Sequence, residues 1–431
     1  MKEMTSELRR IPPGPTERYN TSQDLLAWMS DQFMQFGDIF SASVYGTNVY
    51  VVSDPAYADH VLRKNWQNYK KGQAIKRIGL LLGNGLMVSE GELWKSQRRM
   101  IQPAFHDKAI GGLTAVITAA NLKLLGKWKR AAQDKVSVNI TNDISHMILS
   151  IVLTSIFGED YEQVAPHFDI VSDESARNIQ FAQTFRPLGK MVLEIAAKRR
   201  KDNIRATDIL GMLMAARDRD SGHLMPDNQL ASEIMTLVVA GHETTAGTLN
   251  WTWYLLSKNP EAEEKLSQEL DLLLQDDVPQ LSDLHKFSYT RQVIEETLRM
   301  YPAGWLMTRK ALKDDQIGDY FVPAGTEIYI SPYLIQRHPA LWRDPDRFHP
   351  ERFDPGQAGD RHELAMLPFS AGPRKCIGEM LARIEMQIHL MMIAKHLRLR
   401  HTSEQPLELE AGVNLRAKHD FIMMPEIRRS N

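Results

Sequence analysis

A chain of 431 residues that is 43% hydrophobic and 25% charged can bury a large core, which excludes a disordered or fibrous protein. A net charge of −2 and a pI near 6.7 exclude a globally basic nucleic-acid binder, so electrostatic docking would need a local patch. The single cysteine, Cys376, excludes an internal disulfide and fits a reducing compartment.

The N-terminal stretch MKEMTSELRRIPPGPTERYN is charged throughout and lacks the apolar run of a signal peptide or membrane anchor, which predicts a cytoplasmic protein with no membrane anchor. No fixed-period repeat, Gly/Ser tract or like-charge block divides the chain, so residues 1–431 read as one compact body. Residues 39–54, IFSASVYGTNVYVVSD, hold two β-branched and aromatic runs around Gly46, Thr47 and Asn48, the pattern of a hairpin. Apolar residues at helical spacing follow over 113–131, 141–157, 187–200 and 206–217.

The longest predicted helix takes Asp227 as its N-cap, just after Pro226, and runs to Lys258, where Asn259 and Pro260 stop it. Its length is roughly 48 Å at 1.5 Å per residue, enough to cross a domain. Apolar residues surround it on nearly every side, from Ile234 to Val239 and from Leu249 to Leu255. Such a helix is buried in protein or in a membrane, and the polar interruption GHETTAGT argues against the membrane. Further helices over 260–275, 288–300 and 377–397, with a strand at TEIYISPYL after the turn at Pro323 to Gly325, complete the pattern. The expectation is a mainly α chain with a small β region whose strands are few and early.

Two segments carry chemistry. His242 and Glu243 begin the zinc-hydrolase pattern H-E-x-x-H, but Ala246 stands where the second histidine is required, and zinc is excluded. Ala240 and Gly241 open space beside the helix backbone, and Glu243 and Thr244 then supply an acid and a hydroxyl, as in a polar notch for a small ligand and its protons. A kinked helix with locally satisfied polar groups is the alternative.

The second segment is FSAGPRKCIGEM, residues 369–380. Gly372 and Pro373 predict a tight loop, Arg374 and Lys375 bring positive charge, and a helix starting at Ile377 would aim its N–H groups at the sulfur. Each of these favours thiolate over thiol. A nucleophilic cysteine would need a histidine base, for which His362 and His389 are the nearest in sequence; a metal ligand fits a lone sulfur better. An inert buried cysteine is the plainest alternative.

FSAGPRKCIG matches the F-x-x-G-x-R-x-C-x-G signature of the cytochrome P450 family, and the chain resembles that family from about residue 40 to 425. AGHETT at 240–245 is similar to the family's oxygen-binding helix; ETLR, Glu296 to Arg299, resembles its E-x-x-R motif; PERF at 350–353 resembles the segment whose arginine, here Arg352, completes a buried ion network. The E-x-x-R spacing recurs elsewhere in the chain, so the order of the motifs carries the resemblance.

The resemblance implies the family fold over the whole chain, with haem b held between the long central helix and the helix after the cysteine loop. It implies Cys376 as thiolate ligand to the iron, Phe369 beside the sulfur, Gly372 and Gly378 shaping the loop, and Ala240 and Gly241 facing the haem. Glu243 and Thr244 become the acid and alcohol pair that delivers protons to bound oxygen. LWKSQRR at 93–99 resembles the family's W-x-x-x-R helix, which makes Trp94 and Arg98 partners of the haem propionates, with Arg309 and Arg374. Glu296, Arg299 and Arg352 become a structural ion network. The implied reaction inserts one atom of O2 into a C–H or double bond of an apolar small molecule, fatty acid or terpenoid-like, while the other atom leaves as water.

Nothing in the sequence resembles a flavin domain, a nicotinamide fingerprint or an iron–sulfur segment, so no reductase is fused and a ferredoxin or flavodoxin with its reductase is implied as electron donor. Lys95, Arg98, Arg99, Lys375 and Arg383 fall on segments that the family places on the haem's proximal side, a docking patch for an acidic carrier. Residues 76–94 resemble the loop covering the pocket. Residues 159–200, where two lid helices belong, look short for both, which predicts an open mouth for bulky or carrier-bound substrates. Val239, Ala240, Ala303 to Met307 and Val413 are pocket-lining candidates. A peroxide-driven haem enzyme and a haem-binding sensor or carrier are the alternatives, both disfavoured by Glu243 and Thr244.

Overall fold

The computed structural model describes residues 10–172, 179–357, 359 and 361–428; the start of the charged N-terminal stretch and the connector 173–178 in the expected lid lie outside them. Helices dominate, and short polar side chains start many of them. Asp24, Asp54, Asn139 and Asp208 each accept a backbone N–H from the first turn of the helix that follows.

The central helix is Asp227–Lys258, with the length read from the sequence. Its N-cap is Pro226, so Asp227 is the first helical residue and places its charge in the first turn. Asn259 leaves helical geometry and Pro260 opens the next helix, Pro260–Leu273. The central helix packs along Ile140–Phe157 and against Ile179–Lys201, Ser288–Met300 and Glu379–Ala394. Its buried side chains include Leu230, Ile234, Leu249, Trp251 and Trp253, which accounts for its all-round apolar character.

The predicted hairpin is formed by Ile39–Val44 and Thr47–Val52, with Val44 opposite Thr47. Its two-residue turn is therefore Tyr45-Gly46, both with positive φ, rather than Gly46 to Asn48. Glu327–Ile330, the strand expected near residue 326, pairs parallel to Thr47–Val52. Met307–Ala311 and Tyr69–Lys71 extend this sheet to five strands.

Strands are not confined to the early chain. Leu397–His401 and Ile422–Ile427 form a three-stranded sheet with Val138–Asn139, and Leu409–Ala411 pairs with Leu415–Ala417. The first of these strands occupies the end of the expected 377–397 helix, which stops at Ala394. The lid region is also fuller than its sequence suggested: Tyr161–Ser172 and Ile179–Lys201 are both helices, so the shortened lid is corrected. Each continues through a proline, Pro166 and Pro187.

Asp107–Asp134 and the helical stretch Ile140–Phe168 are long and apolar enough to cross a membrane. In the fold Asp107–Asp134 packs against Glu379–Ala394, and Ile140–Phe157 packs against the central helix.

Candidate active site

Cys376 sits between the short turn Gly372–Arg374 and the helix Glu379–Ala394, which begins two residues later than expected, after Gly378. The loop is tied back on itself: the Cys376 N–H donates to the Phe369 carbonyl at 2.9 Å, and the Lys375 N–H to the Gly372 carbonyl at 3.0 Å. Gly372 has φ +70°, and Ser370 also sits at positive φ. The Cys376 side chain carries accessible surface and lines a cavity. Burial pushes its thiol up from the ordinary range, while the Gly378 N–H and the charges of Arg98 and Lys375 pull it down. In the protein alone burial wins over the loop's charges.

The cavity has a volume of about 350 Å³ and lies between this loop and one face of the central helix. Ala240, Gly241 and Thr244 line it from the helix, and Phe369, Arg374, Cys376 and Gly378 from the loop. Ala303, Gly304 and Met307 line it as expected of the segment 303–307. Phe105, Val152, Ile156, Leu237 and Leu298 make most of the remaining wall apolar. The Thr244 hydroxyl donates to the Ala240 carbonyl at 2.8 Å, which leaves its oxygen lone pairs free to accept.

Glu243 is the outlier. It lines a second cavity of about 370 Å³, with Val239 and Val413, and its carboxylate accepts a hydrogen bond from Asn414 Nδ2 at 2.8 Å. The larger cavity is thus not the one that holds Cys376. Val239 and Val413 belong to it as well, and Val413 is largely exposed. Asn414 lines both cavities, and nothing in its sequence context singled it out.

The four residues expected around carboxylates cluster beside the cavity. Trp94 is buried, and the Arg374 guanidinium stacks over its ring at 4.8 Å. Arg374 pairs with Glu90, yet its Nε and Nη1 are buried without a partner. Arg309 is buried and donates to the Thr308 carbonyl; burial lowers it to about 10, helped by the nearby Arg374. Arg98 donates to the Lys375 carbonyl at 2.9 Å. Buried guanidinium N–H groups left without acceptors, on Arg374, beside Arg309, which has no acid partner among the described residues, are a site for an anionic ligand, so this donor set fits a cofactor carrying carboxylates. Lys71 and Glu90 complete the cluster and were missed: Glu90 accepts the Lys71 backbone N–H as well as Arg374.

Glu296, Arg299 and Arg352 form one buried network. Arg299 donates to both Glu296 oxygens, at 2.7 and 2.9 Å, and Arg352 Nε to Glu296 Oε1 at 3.0 Å. The remaining guanidinium N–H groups reach the carbonyls of Gln336, Arg343, Asp344 and Arg347. Gln336, another residue the sequence did not mark, continues the network by accepting the Leu367 N–H at 2.7 Å, next to the cysteine segment.

Neither histidine considered as a base serves Cys376: His362 caps Leu364, and buried His389 accepts from Trp253 Nε1 at 2.9 Å and bonds Asn121 Oδ1 at 2.7 Å. The proposed basic docking patch is compensated. Lys95 pairs with Glu92, Arg99 with Asp218 and Asp220, Lys375 with Glu379, and Arg383 with Glu379 and Glu295. Only Arg98 of the five bonds a carbonyl instead of an acid among the described residues.

The chain is similar to known proteins over most of its length. The chain is 32% identical over 390 residues to a cyclooctat-9-en-7-ol 5-monooxygenase from Streptomyces melanosporofaciens, covering 84% of this chain and 83% of that protein. It is 29% identical to a pentalenene oxygenase from Streptomyces avermitilis, over 82% of each chain, and 29% identical to a chloroplastic carotene epsilon-monooxygenase from Arabidopsis thaliana, over 93% and 80%. The crystal structure of the cytochrome P450DA heme domain superimposes with a TM-score of 0.84 at 24% identity, covering 97% of this chain and 98% of that one. The cytochrome P450 family model matches residues 16–187 and 167–423, and the chain belongs to that family of haem monooxygenases.

Proposed function

We propose that the protein is a haem-thiolate monooxygenase acting on an apolar, terpenoid-like substrate, with Cys376 as the sulfur ligand and a separate ferredoxin or flavodoxin system as electron donor. The observation that carries this reading is the shared cavity of Cys376 and Thr244, one on the loop and one on the small-residue face of the central helix. Trp94, Arg98, Arg309 and Arg374 would hold the haem carboxylates, and Cys376 its iron. When bound, the haem supplies activation of dioxygen and transfer of one oxygen atom to carbon.

The protein's own part is to orient substrate and to move protons. Phe105, Val152, Ile156, Leu237 and Leu298 offer dispersion contacts and no hydrogen bonds, which suits the apolar face of a porphyrin and a hydrocarbon lying beside it. The relatives' names specify cyclooctat-9-en-7-ol, pentalenene and carotene, all hydrocarbon frameworks, and this supports the terpenoid class over fatty acids. Thr244 Oγ1 can hold a water at the cavity wall and pass a proton inward, with Glu243 as the acid that replenishes it. Glu296, Arg299 and Arg352 fix the backbone from which the cysteine segment departs.

The test is spectroscopic. The reduced protein with carbon monoxide should show the long-wavelength Soret band of thiolate ligation, and Cys376→His should move it to shorter wavelength. Terpenes should convert the resting haem from low to high spin at lower concentration than fatty acids do. An unchanged band in Cys376→His would overturn the ligand assignment, and a preference for fatty acids would overturn the substrate class.

A further inference from the structure

We propose that Glu385 is a proton reserve for the Cys376 cavity, feeding the Thr244 hydroxyl from the end where the central helix meets Glu379–Ala394. The inference deepens the functional reading above and rests on it.

Glu243 and Thr244 are neighbours in sequence but line different cavities. Among the described residues Glu385 is the only carboxylic acid that lines the cavity of Cys376 and Thr244. It is 4% exposed, and its carboxyl has no hydrogen-bond or ion-pair partner among those residues. A buried acid without a partner is costly to ionise, and burial alone pushes this one up to about 8. At neutral pH it therefore holds a proton that no protein group accepts.

The packing of the two helices gives that proton a destination. They touch where Trp253 Nε1 donates to His389 Nε2 at 2.9 Å. About one turn back toward the cavity the central helix presents Thr248 and its neighbour presents Glu385, and a further turn along the central helix stands Thr244; all three line the cavity. Thr248 Oγ1 donates to the Thr244 carbonyl at 2.9 Å, and Thr244 Oγ1 to the Ala240 carbonyl at 2.8 Å. Both oxygens keep lone pairs that accept. A hydroxyl passes a proton on by accepting one at its oxygen and releasing its own, so two threonines one turn apart, bridged by water, make a path along the helix. Glu385 is left as a carboxylate and regains its proton from solvent water, and no electron moves.

The charged groups nearby are engaged with one another. Arg374, which also lines the cavity, pairs with Glu90. On the helix of Glu385, Glu379 pairs with Lys375 and Arg383, and Arg383 also with Glu295 of Ser288–Met300. His389 is held between Trp253 and Asn121, the latter on Asp107–Asp134. From Pro260–Leu273, Glu263 bonds Arg400, and Glu269 accepts the Tyr289 and Thr290 N–H groups.

The test uses the haem-loaded protein at neutral pH. Its infrared spectrum should contain the carbonyl band of a buried protonated carboxyl, which vanishes in Glu385→Gln and shifts in Glu385→Asp. Glu385→Gln matches the acid in size, so haem content and the thiolate band should hold while product per electron pair falls severalfold. Glu385→Asp should recover most of that loss, which a packing role for the side chain would not do. Thr248→Val breaks the path without touching the acid and should repeat the loss, and Glu385→Gln should add little in that background. Should Glu385→Gln fail to take up haem, Thr248→Val and the band shift in Glu385→Asp decide the matter. A carboxyl band that no Glu385 variant alters, or full coupling in Thr248→Val, overturns the proposal. Absence of the thiolate band from the unmutated protein would overturn the functional reading itself, so the two failures are distinct.

Discussion

Gly372 passes so close to Leu62 that a Cβ on it would overlap the Leu62 carbonyl oxygen, and its φ of +70° lies where L-residues are strained. Gly372→Ala must move one backbone or the other. The left-handed conformation alone costs about 1–2 kcal/mol, and the overlap adds to it. The expected result is a protein that folds but incorporates haem poorly, measured as the ratio of haem absorbance to protein; full haem content at unchanged melting temperature would refute it.

The Glu296 carboxylate is shared by two buried guanidinium groups, so its removal leaves both uncompensated. Glu296→Ala should destabilise the fold by about 3–5 kcal/mol, read from urea unfolding. Arg352→Lys keeps a positive charge but loses bonds to the carbonyls of Arg343, Asp344 and Arg347, and a smaller loss is expected. Equal losses in the two variants would show that charge alone is not what the network uses.

His389 is held neutral. Trp253 donates to Nε2, so the ring proton sits on Nδ1 and points to Asn121 Oδ1. Burial lowers its pKa to about 3, against an ordinary 6.5 in the unfolded chain. The unfolded state therefore binds a proton that the folded state refuses, and stability falls as pH drops from 6.5 toward 3. At pH 5 the loss is about 2 kcal/mol. His389→Gln should flatten this part of the melting-temperature profile; an unchanged acid slope would assign it to other groups.

Thr244→Ala removes the hydroxyl from the Cys376 cavity without touching its apolar wall. Electron consumption should continue while product per electron pair falls by roughly tenfold to a hundredfold. Substrate binding, followed by the spin-state change, should stay within about twofold, since the hydroxyl already spends its proton on the Ala240 carbonyl.

Arg374→Ala should weaken haem retention more than Arg98→Ala. Arg374 brings two buried unpartnered nitrogens to the site, whereas Arg98 already satisfies a backbone carbonyl. Transfer of haem to apomyoglobin over time separates the two, and equal rates would contradict the ranking.

Much of this was legible beforehand, and the reasons differ by residue. Cys376, Thr244 and the Glu296 network sit in contiguous motifs, and the central helix announces itself by length and all-round apolarity. The lid helices were hidden because Pro187 reads as a helix start while the helix begins at Ile179, and Pro166 breaks the apolar spacing of the other. Gly111 and Gly112 masked the first turns of Asp107–Asp134 in the same way. The late strands are three to six residues long, too short for alternation to register. Asn414, Gln336, Lys71 and Glu90 act through contacts between distant segments, and no local pattern encodes those. The direction of Glu243 was missed because adjacency in sequence was taken as adjacency in space.

The five-stranded sheet joins Thr47–Val52 to Glu327–Ile330, and the smaller sheet joins Val138–Asn139 to Ile422–Ile427. A ribosome therefore releases the first hairpin long before its parallel neighbour exists, and the cysteine loop emerges later still. Contacts that span so much chain form slowly. A cradle built on that loop closes only after the loop has emerged, so supply of haem from that point on, not its availability to the earlier nascent chain, should set the yield of active protein.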